Sequence, residues 1–170
     1  MTAVTQWPPR ARDTRAVLQT YDQVLGWPLI VDDAFVSARC AFVALELTPD
    51  AVVSTTCSAF DAVTMPHAVG ADLLVLLGRS DLEQVPALTD GHEQVVVLVA
   101  AGTASGLASL EGVSVDSGPG GRLILPPSTG RRWDTPPWDL RTEGPCPLPD
   151  GTAIESALRT ALRVFGTPSP

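Results

Sequence analysis

The stretch Val113–Trp133 reads VSVDSGPGGRLILPPSTGRRW, and the rest of the chain is read outward from it. Asp116 closes the alternating run Val113-Ser114-Val115, where a carboxylate stands at the mouth of a strand. Gly118, Gly120 and Gly121 remove Cβ atoms from the following turn and predict a reversal of the chain. Leu123-Ile124-Leu125 then returns as a buried strand. Pro126-Pro127 ends it, because neither residue donates to a ladder. The unit finishes on Arg131-Arg132-Trp133, two planar cations and an indole.

The bulk composition sets the frame. A chain of 170 residues and 17.8 kDa is read as one domain over 1–170, long enough to bury a core. Apolar residues make up 45% and the mean hydropathy is +0.19, values of a globular chain. No apolar run approaches the ~20 residues that span a bilayer, and MTAVTQWPPRAR has no signal-type stretch, so a soluble cytoplasmic protein with no membrane partner is expected. Cys40, Cys57 and Cys146 are odd in number and widely spaced, which predicts buried free thiols rather than a disulfide framework or a metal pair. The net charge of −8 argues against a general nucleic-acid binder. Every basic residue is Arg, as a GC-rich genome would also produce.

Along the chain, residues 1–12 form an extended lead-in. Asp13 or Thr14 caps a helix to about Leu25, and Gly26 stops it. Trp27–Val31 is a first strand. Ala41–Leu47 and Val52–Thr56 are apolar and β-branched enough to be strands. Phe60-Asp61-Ala62-Val63 is a short run before a helix capped by Thr64, with Pro66 in its first turn, reaching about Leu77. Ser80–Gly91 reads as loop and Val95–Ala100 as a central strand buried on both faces. Ser105–Leu110 is a helical turn and 134–150 a Pro-rich irregular loop. A capping box, Thr152…Glu155, opens the last helix over 152–165, with Ile154, Ala157, Leu158, Ala161, Leu162 and Phe165 on one stripe. Helices alternate with strands linked too closely for full crossovers. The expected class is therefore α+β (mixed α/β), a central mixed sheet flanked by helices.

The order Asp, Gly-rich turn, apolar strand, Pro-Pro-Ser, Gly and Trp over Val113–Trp133 resembles the N-terminal domain of bifunctional DNA primase/polymerases. Ala16…Tyr21…Leu25-Gly26-Trp27-Pro28 is similar to the start of such domains. The whole looks like a short, free-standing relative of the kind found in high-GC actinobacteria. The resemblance implies an archaeo-eukaryotic primase/polymerase-like fold and nucleotidyl transfer with Mg²⁺ or Mn²⁺. Such chemistry uses two metals about 3.5–4 Å apart, held by several carboxylates.

Carried onto this chain, the resemblance makes Asp116 the later single metal ligand and Asp61 the surviving member of a paired-acid motif whose second acid is replaced by Val63. Glu46 is another candidate acid. His92, in Thr89-Asp90-Gly91-His92, stands near the place of a nucleotide-contacting His, although the family position falls nearer Gln94 or Val95. Arg122, Arg131 and Arg132 suit phosphate contacts. Ser128 belongs to the Pro-Pro-Ser corner, and Trp133 is a surface for base stacking. Each residue also has a plainer reading: Asp116 as a turn cap, Asp61 as a polar strand end, His92 as a solvated loop residue, the Trp-Pro-Pro-Trp cluster as a pin for its loop.

These observations lead to a primase/polymerase-like domain with an eroded catalytic site, serving as a nucleotide- or nucleic-acid-binding or scaffold module. An active metal-dependent nucleotidyltransferase and a pure protein-interaction domain are the alternatives.

Overall fold

In a computed structural model that describes residues 7–165 apart from Glu83 and His92, the longest strand organises everything else. This strand, β3, spans Val53–Pro66 and fuses the two runs Val52–Thr56 and Phe60–Val63 that the sequence suggests as separate. Strands β1 (Leu29–Val31) and β2 (Ala34–Val36) form a hairpin that pairs with the start of β3. Strand β5 (Gln94–Ala100) pairs with its second half, followed outward by β4 (Ala87–Thr89) and β7 (Arg132–Thr135). Strand β6 (Ser114–Ile124) runs along the other side of β3. The domain is α+β, and all of these ladders are antiparallel, where a mixed sheet is expected from the sequence.

Two helical layers cover the sheet. Helix α1 (Thr14–Gln19) starts at Asp13, whose side chain accepts the Ala16 N–H at 3.0 Å. It continues as a π-turn over Thr20–Val24, and Gly26, at φ +65°, takes the left-handed conformation that stops it. With helix α2 (Ala38–Leu47) it packs Val17, Leu18, Tyr21, Ala38 and Ala41 against Val53, Cys57, Phe60, Ala62, Val96 and Leu98. On the opposite face, helices α3 (His67–Gly78) and α4 (Gly151–Phe165) enclose Val63, Met65, Val95, Val97 and Val99. Strand β5 therefore has apolar partners on both faces, as its unbroken β-branched run implies.

Several elements depart from the sequence reading. Ala41–Leu47 lies within helix α2, not in a strand. Ser37 caps the helix by accepting the Cys40 N–H at 3.3 Å. Of the helix only Ala38 and Ala41 are buried, so Cys40, expected to be a buried thiol, lies on its exposed side. Thr64 stays in β3, and the helix begins after Pro66. At α4 the cap is Asp150, whose carboxylate takes the Thr152 N–H at 2.9 Å and hydroxyl at 2.7 Å, so Thr152 is inside the helix and no capping box forms. The glycine run does not reverse the chain. Ser114–Asp116, Gly118 and Arg122–Ile124 pair with successive parts of β3 in one direction, and the ladder is bulged on either side of the Cys57–Gly118 pair. A Cβ on Gly121 would lie 2.8 Å from the Ser117 backbone nitrogen, so the neck of that bulge closes only around glycine.

Candidate functional site: a proline and tryptophan groove

The chain's one tyrosine and four tryptophans converge on the face covered by α1 and α2. Tyr21 is fully buried and stacks on Trp27 at 5.8 Å, with Trp133 and Trp138 tilted against it at 6.4 and 6.1 Å. Its hydroxyl donates to the Pro126 carbonyl at 2.8 Å and accepts the Trp133 indole N–H at 2.6 Å. Burial pushes the phenol well above its ordinary range. Trp7 donates its indole N–H to the Asp139 carbonyl at 3.0 Å, and the Gln84 amide donates to the Pro136 and Trp138 carbonyls at 3.1 and 3.0 Å. These bonds fasten the lead-in to the Pro-rich segment, and that segment to the residues just before β4.

Between the fastened segments runs a groove of about 390 Å³, within the size range of small-ligand sites. Its walls include Pro8, Pro9, Pro127, Pro136 and Trp133, with Leu140 at the mouth, 53% exposed. Arg131 and Arg132 border it. One nitrogen of Arg131 lies 3.7 Å from Asp90, whereas Arg132 is exposed on β7 opposite Thr89.

Arg131, Arg132 and Trp133, consecutive in the chain, border this groove, and the remaining site residues suggested by the sequence lie elsewhere. Ser128 is buried, accepting the Val53 N–H at 2.9 Å and donating to the Val53 carbonyl at 3.1 Å, so its hydroxyl closes the start of β3 instead of facing a ligand. Arg122 pairs with Thr56, one position from Leu123, whose side chain joins the aromatic-side core, so Arg122 points from the opposite face. His92 lies outside the described residues. Glu46 sits on the exposed side of α2, away from β3.

The two aspartates are close in sequence register but separated by the sheet. Asp116 pairs with Ala62, which faces the aromatic-side core, and is exposed at the sheet edge. Asp61, the neighbour of Ala62, points the other way. It is 2% exposed, and one carboxylate oxygen accepts the Ala104 N–H at 2.9 Å. The other oxygen has no hydrogen-bond partner among the described residues. Among the described residues no three His, Cys, Asp or Glu side chains are grouped so as to hold a metal ion. The residues present do not fit the Mg²⁺ or Mn²⁺ pair that nucleotidyl transfer requires. Cys57 lies near both carboxylates; its burial, then the charges of Asp116 and Asp61, push its thiol up to about 12.

The sequence reading missed the contributions of Pro8, Pro9 and Leu140, which come from segments more than a hundred residues apart. Their only signal is a pair of prolines beside a tryptophan, which occurs as Trp7-Pro8-Pro9 and again as Pro136-Pro137-Trp138. No helix of the described residues is long and apolar enough to cross a membrane. A scan against models of protein families finds no match, and comparisons with curated proteins and with solved structures find none either.

Proposed function

We propose that this chain is a binding module on a primase/polymerase-like scaffold whose catalytic centre has been lost, and that its groove takes a nucleotide or the end of a nucleic-acid strand. The observation that carries this reading is the joining of Arg131 and Arg132 to a Pro- and Trp-walled groove, while Asp61 and Asp116 face opposite sides of the sheet. Planar guanidinium groups suit phosphate oxygens, and the flat rings of the walls suit a base. The local pair of cations stands out in a chain of net charge −8, which favours a small ligand or a strand end over a long duplex. Three free cysteines agree with a reducing, cytoplasmic setting. A protein scaffold is the second reading, favoured by the exposed Leu140 at the mouth of an otherwise apolar groove.

Fluorescence titration tests the proposal, because Trp133 and Trp138 line the groove and Trp7 and Trp27 pack with them on the same core. ATP and a short single-stranded oligonucleotide are expected to change the emission. Replacing Arg131 and Arg132 together by Ala should weaken that binding about tenfold, roughly 1.4 kcal/mol; Asp116→Ala should leave it unchanged. Absence of any nucleotide or oligonucleotide affinity would leave the scaffold reading. Metal-dependent primer extension abolished by Asp116→Ala would restore the enzyme.

A further inference from the structure

Helix α2 carries on its outer side a stripe that the groove does not use. Ala38, Ala41, Phe42 and Leu45 turn toward the core, leaving Arg39, Cys40, Val43, Glu46 and Leu47 outward. Val43 is 46% exposed and Leu47 80% exposed, large apolar side chains standing in solvent on consecutive turns. Charge is divided between the ends of this surface. Arg15 from α1 joins Arg39 beside Val43 at one end, together with the single acid Asp22. At the other, Asp32, Asp33 and Asp50 surround Leu47 and Val52.

This arrangement is complementary to itself. A two-fold axis at Val43 that packs α2 against an antiparallel copy places the two Val43 side chains together. At 1.5 Å and 100° per residue, Arg39 then falls beside Glu46 of the other copy, and Cys40 beside its Leu47, each contact occurring twice. The same operation lays the arginine end of one copy over the aspartate end of the other. We propose that the chain forms an isologous dimer through α2, its occupant being a second copy of itself. The stripe is only about 15 Å long, and each chain carries −8 overall. The association is therefore expected to be weak, micromolar, and weaker still in high salt.

Sedimentation equilibrium of the full chain over a range of concentrations tests this. The wild type should shift from monomer to dimer, and Val43→Asp, a change at an exposed site, should stay monomeric with an unaltered circular dichroism spectrum. Arg39→Glu and Glu46→Arg should each raise the dissociation constant about tenfold, and the double variant should return it toward the wild-type value, a rescue that loss of folding cannot mimic. A wild type that stays monomeric at several hundred micromolar overturns the proposal. So does a Val43→Asp variant that still dimerises, or a double variant no better than either single one.

Discussion

Asp61 shows how a residue with the pattern of a catalytic acid comes to serve the fold. Its carboxylate holds the Ala104 N–H at the start of a 3₁₀ turn over Ser105–Ser109, in a space sealed by α4. Asp61→Ala would leave that buried donor without a partner, and should lower stability by about 1–3 kcal/mol. Asp61→Asn, which keeps an acceptor oxygen, should recover most of the loss in chemical denaturation. The cysteines give a second expectation. Burial, with the charges of Asp116 and Asp61, raises Cys57 to about 12; burial and Asp139 raise Cys146 to about 11. In dilute solution at pH 8, Cys40 should react promptly with a thiol reagent, and the other two only on unfolding. Because both folded values lie above the ordinary 9.0, the folded state keeps these protons longer than the unfolded chain. Their contribution to stability is full below pH 9 and is lost as pH rises through 11 to 12. Denaturant midpoints measured across that window should fall.

At the scale of elements, the sequence was readable where both layers press on one segment. Val95–Ala100 is continuous, β-branched and buried on both faces, so its pattern admits a single interpretation. Ala41–Leu47 mixes Ala, Val, Leu and Phe, which suit either state, and Ser37 together with the one-sided burial of Ala38 and Ala41 settles it as helix. The glycines after Asp116 signal a departure from regular structure. Whether they reverse a strand or bulge within it depends on β3, whose length is set by pairing with β5 and β6 rather than by local propensity. Capping was legible only in part: Asp13 caps α1 as read, whereas Asp150 displaces Thr152 at α4. Packing between layers gives its own test. Helix α3 crosses β5 with Gly70 directly on Val95, and a Cβ on Gly70 would overlap all three carbons of the valine side chain beyond its Cα. Despite the higher helix propensity of alanine, Gly70→Ala should lower the thermal midpoint, costing about 1–3 kcal/mol.

For the whole molecule, one sheet divides two sets of residues that the linear motif places side by side. The motif Val113–Trp133 brings Arg131 and Trp133 to the groove on the aromatic face, leaves Arg132 at its border in register with Thr89, spends Ser128 on the start of β3, and sends Arg122 to the other side. Sequence order recorded which residues belong to the motif, but the faces follow from strand parity and from the bulge, which only the ladder with β3 defines. Pro8, Pro9 and Leu140 complete the groove through long-range packing around Tyr21, a convergence that no local pattern contains.

The most direct measurement is amide chemical-shift mapping of the labelled protein titrated with ATP, followed by addition of Mn²⁺ as a paramagnetic probe. Saturable shifts are expected at Ala11, at Arg131–Trp133 and around Leu140, with the same shifts in Asp116→Ala and no selective Mn²⁺ broadening at Ala62, Val63 or Asp116. Shifts centred on β3 and β6, with Mn²⁺ broadening there that Asp116→Ala removes, would contradict the separation of the two aspartates and the binding role assigned to the groove.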